Sequence, residues 1–164
     1  MLAASRTAKT IKVNNKICEK IMTTEITMKK LITAAIEARE KAYAPYSYHP
    51  VGAAVLTENG EIFSGCNIEN ASTPLGNCAE VMAIGNMVMA GHKEIQHLVV
   101  AGPAYVACTP CGGCRQRTRE FAGKETKVTV VDRDGKIMLE TTADALLPHS
   151  FGPDNVFEVL EGDA

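Results

Sequence analysis

From Met28 the apolar positions fall at helical spacing: Leu31, Ala34, Ala35 and Ala38 form a stripe that Ile32 and Ile36 widen, and the pattern runs to Ala44-Pro45. This predicts a first core helix. Two short apolar runs follow, Val51 to Leu56 and Glu61 to Cys66, joined by Thr57-Glu58-Asn59-Gly60. The Asn-Gly pair signals a hairpin turn, so the two runs should pair antiparallel. Helical spacing returns from Cys78 to Ala90 through Met82, Ala83, Met87 and Val88, with Gly91 as a C-terminal stop. Leu98 to Ala101 and Val128 to Val131 are continuous apolar, β-branched runs separated by a helix expected from Gly113 to Phe121. Strand, helix, strand in that order implies a right-handed parallel crossover. Asp132-Arg133-Asp134-Gly135 reads as a further turn before a short strand from Lys136 to Glu140. The elements predict an α/β fold with a mixed sheet of about five strands and helices on both faces, without internal repeats.

Residues 1–27 break this regularity. Arg6, Lys9, Lys12, Lys16 and Lys20 face only Glu19 and Glu25, and no apolar period is sustained. They read as an N-terminal extension, a targeting-like arm or an upstream start, with residues 28–164 as the domain. A chain of 164 residues has the length of one domain that buries most of its own apolar surface. With 46% hydrophobic and 22% charged residues, and no stretch near the roughly 20 apolar residues of a membrane span, it reads as a soluble protein without a membrane partner, and the clustering of its cysteines fits reduced thiols in the cytoplasm. A net charge of -2 and 5% aromatics give neither the field nor the stacking track of a nucleic-acid binder.

Six cysteines do not make a disulfide framework here, because they are unevenly placed and nothing resembles a signal peptide. Cys108, Cys111 and Cys114 crowd together, Cys78 stands apart, and Cys18 and Cys66 read as structural or incidental. Cys111-x-x-Cys114 can reach one ion, and Cys78 supplies a third thiolate; three protein ligands leave one tetrahedral position open, the mark of catalytic rather than structural zinc. Both ligand groups fall at predicted helix starts, where unpaired N–H groups favour negative charge. Three thiolates and one Zn²⁺ sum to -1, and Arg115, next to Cys114, is the nearest cation, expected to hydrogen-bond a ligating sulfur. Glu80, two residues past Cys78, suits a general base that then acts as acid. The bland alternative is a capping box, Asn77-x-x-Glu80. Cys108 opens two others: an iron-sulfur set, weakened because Thr118 and Arg119 stand where that pattern needs Cys and Pro, or a fourth thiolate closing a structural zinc site. In the second case the protein would be a non-catalytic zinc module.

The blocks Tyr43-Ala44-Pro45-Tyr46-Ser47, Val51-Gly52-Ala53-Ala54, Gly65 to Asn70, Asn77-Cys78-Ala79-Glu80, Pro110 to Gln116 and Leu146-Leu147-Pro148 resemble, in order, the small homotetrameric cytidine deaminases. The general pattern of zinc deaminases, a first Cys or His ligand, a Pro-Cys-x-x-Cys pair and a non-ligating Glu, is met. The resemblance implies a three-layer α/β/α fold, one zinc per subunit on Cys78, Cys111 and Cys114, and Glu80 as proton shuttle while water attacks C4 of the pyrimidine. It implies that Asn67 and Glu69 hold the ribose, that the Ala79 backbone meets the base edge, and that Phe151 reaches a neighbouring subunit's pyrimidine in a composite homotetrameric site. On residues alone, Asn67 to Asn70 would be a plain turn and Phe151 a core or interface side chain.

Three positions depart from the family pattern. His49 stands where a Phe is usual and can stack on the base, Val81 where an Arg is common, and Thr73 where a Tyr commonly meets the sugar. The expected substrate is cytidine or deoxycytidine, with a modified aminopyrimidine nucleoside or a blasticidin-type amine as the alternative. His92, His97 and His149 have no motif partners and read as surface or interface residues.

Overall fold

The structure, a computed structural model, describes residues 24–156. The basic arm expected over residues 1–27 therefore lies outside the described residues except for its last four. A helix, α1, runs over residues 24–39, and the chain divides into two units after Lys30, so the sheet and the whole site belong to the unit from Leu31 onward. The helix ends well before the expected Ala44-Pro45. Lys41 N–H bonds the Ala38 carbonyl and Ala42 N–H bonds that of Arg39, tightening the last turn, after which Tyr43 leaves to form a β-bridge with Ile68. Proline marks where a helix must stop, and here a tertiary pairing stops it sooner.

Five strands form one sheet: β1 (Gly52–Thr57), β2 (Ile62–Cys66), β3 (Ile95–Ala101), β4 (Ala122–Val131) and β5 (Ile137–Thr142). Their order is β2-β1-β3-β4-β5; only β3 and β4 are parallel, as the crossover through α3 (Gly112–Phe121) requires. The hairpin forms as expected, with Gly60 at φ 83° after a turn bond from its N–H to the Thr57 carbonyl. At the second turn Asp132 Oδ1 accepts from the N–H groups of Asp134 and Lys136, each at 2.9 Å. β4 starts directly after α3 and is longer than its apolar run. Its first part pairs Ala122 with Ile95, then the register slips so that Lys127 meets His97, an irregularity that polar residues 123–127 concealed.

Strand alternation sorts the sheet's two faces. Ala53, Val55, Leu98, Val100 and Val128 pack with Ala79, Ala83, Ile84 and Met87 of α2 (Ala79–Met89). Gly65, paired with Ala53, shares this face, and a Cβ there would lie 2.4 Å from Ala83 N, so α2 rests on bare backbone. On the opposite face Gly52 lets α1 equally close: a Cβ would meet the Ala35 carbonyl at 1.9 Å. Helices thus cover both faces of the mixed sheet, the expected three layers. One expectation fails here: His97 is no surface residue but 8% exposed between strands, its Nε2 2.8 Å from Thr129 Oγ1. Burial, with Lys127 nearby, holds its pKa down at about 4. No described helix is long and apolar enough to cross a membrane.

Candidate metal centre and active site

Cys78 is the N-cap of α2 and Cys111 the N-cap of α3; neither helix start has a side-chain cap bond. The Asn77 capping box does not form, because Asn77 instead exchanges backbone bonds with Ile68 at 2.9 Å in both directions. Two helix N-termini thereby point at one place, each aiming its thiol and its positive dipole end there. Cys114, one turn into α3, is fully buried, and the sulfurs of Cys78, Cys111 and Cys114 all lie within 4.8 Å of one another. The Cys78 and Cys111 sulfurs are 3.8 Å apart. Two thiolates on a tetrahedral zinc, with Zn–S of about 2.3 Å, sit about 3.8 Å apart, so the donor set fits that ion. The charge balance fits as well. Burial pushes the Cys78 and Cys114 thiols up, and the Glu80 charge adds to this; against burial, the Cys114 N–H and neighbouring thiols lower that of Cys111. Packed thiols that resist ionising alone call for a divalent cation.

Cys108 stays outside the trio. Its sulfur lies 3.5 Å from His49 Nε2, so the described residues form no four-thiolate closed site. Glu80, in the first turn of α2, is 4% exposed. Burial raises its carboxyl pKa, against its own backbone N–H and the Cys114 thiol, which lower it.

A second arm faces this corner. The segment carrying Asn67 and Glu69 is extended, pinned by Ile68 between bridges to Tyr43 and Asn77. Tyr43 N–H donates to the Asn67 carbonyl at 3.0 Å and Glu69 N–H to that of Tyr43 at 2.8 Å. Residues 67 and 69 therefore point the same way, which a plain turn would not do. Asn67 Oδ1 accepts from Val51 N–H at 2.8 Å and its Nδ2 donates to the His49 carbonyl at 3.0 Å, which fixes the amide. Glu69 is half-buried, and its pKa is lowered by the Ser47 hydroxyl and the Tyr46 and Ser47 N–H groups, the latter at 2.9 and 3.2 Å.

A cavity of about 380 Å³ joins the two arms, lined by His49, Asn67, Glu69, Ala79, Glu80 and the metal-facing Cys78 and Cys111, with Ser47, Cys108 and Thr109. Beyond Glu69 a second hollow of about 300 Å³ is lined by Tyr46, Asn70 and Thr73. Most expected site residues thus converge. Two do not. Phe151 is 63% exposed and stands away from the cavity lining, its carbonyl held by Gln116 Nε2 at 2.9 Å. Arg115, expected to bond a ligating sulfur, sends Nε to the Pro110 carbonyl at 2.8 Å and Nη1 to that of Leu146 at 3.0 Å. Carbonyls at two chain turns offered fixed acceptors, so Arg115 braces the loop that carries Cys111 rather than its sulfur. Sequence reasoning missed Ser47 as the partner of Glu69, because 22 residues separate them and no spacing rule links them.

The chain matches the cytidine and deoxycytidylate deaminase zinc-binding region over residues 25–131. It is 41% identical to the cytidine deaminase of Sporosarcina psychrophila over 82% of this chain and 98% of that one. The cytidine deaminase of Halalkalibacterium halodurans is 40% identical over 77% and 95% respectively. Among solved structures, the cytidine deaminase from Burkholderia pseudomallei is similar with a TM-score of 0.71 and 42% identity, over 75% of this chain and 98% of that one.

Proposed function

Since the chain belongs to the cytidine deaminase family, we propose that it hydrolyses the exocyclic amine of cytidine and deoxycytidine, giving uridine or deoxyuridine and ammonia, as in pyrimidine salvage. The observation that carries this reading is the convergence, around one cavity, of three thiols spaced for zinc, a buried carboxyl beside them and a hydrogen-bonded carboxylate arm opposite. Cys78, Cys111 and Cys114 would hold one zinc per subunit, which when bound supplies the Lewis acidity that makes water nucleophilic near neutral pH. Glu80 would take a proton from the attacking water and deliver it to N3 of the pyrimidine, then take a second from the new C4 hydroxyl and pass it to the departing amine, so that ammonia leaves as the C4 carbonyl forms and Glu80 ends ionised as it began. A raised pKa lets one carboxyl serve in both directions. The Ala79 backbone, fully buried beside the metal thiols, meets the base edge. Asn67 and Glu69 hold the sugar hydroxyls: Glu69, already ionised, accepts, while the clamped Asn67 amide sets the distance. His49 lines the base side.

The functional unit in this reading is a cytoplasmic homotetramer of 28–164 domains, in which Phe151, exposed in the single chain, closes a neighbour's site. A fully active monomer would contradict that part. His49 beside Cys108 favours a second reading, an aminopyrimidine nucleoside or blasticidin-type substrate that exploits a more polar wall. Ammonia release from zinc-quantified protein offered cytidine, deoxycytidine, cytosine, CMP and blasticidin S separates them. Rapid release from both free nucleosides, with little from base or nucleotide, supports the first; a zinc-loaded protein active only on another amine supports the second.

A further inference from the structure

Cys108 has no part in the chemistry above, and it stands beside His49, which lines the base side. Cys108 Sγ and His49 Nε2 are 3.5 Å apart, both lining the 380 Å³ cavity that Glu80 and Glu69 also line. On a tetrahedral zinc with bonds of about 2.3 Å to sulfur and about 2.0 Å to nitrogen, such a pair sits roughly 3.5 Å apart. Cys78 and Cys111, at 3.8 Å, match the sulfur–sulfur spacing of the same geometry. Burial, with the Glu80 carboxylate adding to it, pushes the Cys108 thiol up, so a bound cation must displace its proton, and no Lys or Arg side chain lines the cavity to repel that cation.

We propose that His49 and Cys108 form a second, two-residue binding site for a borderline or soft cation such as Zn²⁺, placed in the substrate cavity and separate from the cysteine trio. Cys108 binds as thiolate, releasing its proton to solvent, and the neutral His49 imidazole donates through Nε2. Remaining coordination positions face the cavity and take water. With only two protein ligands the site binds more weakly than the trio. It fills only when zinc exceeds one equivalent, and it then occupies space the nucleoside needs. The consequence is inhibition by excess metal, a control that depends on His49 and Cys108 together.

Equilibrium dialysis of the purified protein, loaded with one zinc per chain, against rising buffered zinc tests this, with cytidine turnover measured on the same samples. Native protein should take up a second zinc per chain, and the KM for cytidine should rise with it while kcat at saturating cytidine holds. Cys108→Ser and His49→Phe should each keep the first zinc and weaken the second by at least about tenfold, a direct ligand being worth no less than an outer-shell partner. Saturation of native protein at one zinc overturns the proposal and leaves the 3.5 Å contact as a thiol–imidazole hydrogen bond. So does a second zinc held equally well by Cys108→Ser. The deciding count is the difference between native and Cys108→Ser protein, so a trio that fails to take its own zinc lowers both counts alike and is read separately, as failure of the deaminase reading.

Discussion

Glu80 and Glu69 face one cavity from opposite sides, and the protein treats them in opposite ways. Glu80 is 4% exposed at the start of a helix pressed onto the sheet, and burial raises its pKa. Glu69 is only half-buried on an extended segment, and three donors from Tyr46 and Ser47 lower its pKa. In the proposed reaction the first carboxyl exchanges protons, and the second stays ionised and accepts hydrogen bonds. Environment divides the roles of two identical side chains. The supports differ as well. The Glu80 corner is built by long-range packing of α2 and α3 on the sheet, whereas the Glu69 arm is built by backbone bonds among three loop segments.

That difference can be broken from the buried side first. Cys111 is exposed and caps α3 without a side-chain bond, so Cys111→Ala should keep the fold while removing zinc and taking turnover to background. Metal analysis beside circular dichroism checks this; full turnover with one zinc retained would mean that Cys111 is no ligand. Breaking the Glu69 side should cost less. Glu69→Gln removes a charged acceptor, so KM for cytidine should rise roughly 10- to 100-fold with kcat little changed. A fall in kcat at constant KM would place Glu69 in the chemistry instead.

The contrast sharpens at Gly65. A Cβ there would meet Ala83 N at 2.4 Å, so Gly65→Ala should lower stability by about 1–3 kcal/mol. It should also lower kcat, because α2 starts at Cys78 and carries Glu80; thermal melting with the kcat and KM split measures both. The smallest effect belongs to neither arm. His97 has a folded pKa of about 4 against an ordinary 6.5. Below pH 6.5 the unfolded chain takes up a proton that the folded one refuses until about pH 4, so stability is full above that window and falls as pH drops through it. Denaturant midpoints between about pH 7.5 and about pH 4.5 should show this slope, shallower in His97→Gln.

The two arms also differed in how far the sequence revealed them. Ligand spacing, helix starts at Cys78 and Cys111, the hairpin and the parallel crossover follow from local patterns, and the structure contains each. What local pattern cannot express is pairing across the fold. The early end of α1 comes from the Tyr43 bridge, the Ser47 bonds to Glu69 link loops without a spacing rule, and His97 is polar yet buried where its ring meets the Thr129 hydroxyl, diagonally across on β4. Arg115 found carbonyls at Pro110 and Leu146, acceptors that every residue carries and no motif marks. Only the family resemblance distinguished the Asn67 to Glu69 segment from a turn.

Everything proposed for this site turns on Glu80 carrying the protons of nucleoside deamination beside a three-cysteine zinc centre. The most direct test measures zinc content and cytidine turnover on the same preparation of Glu80→Gln. The expected result is one zinc per chain, an unchanged fold and a kcat lower by about 10²- to 10⁴-fold, the usual worth of a positioned acid and base. Near-native turnover from zinc-loaded Glu80→Gln would contradict it.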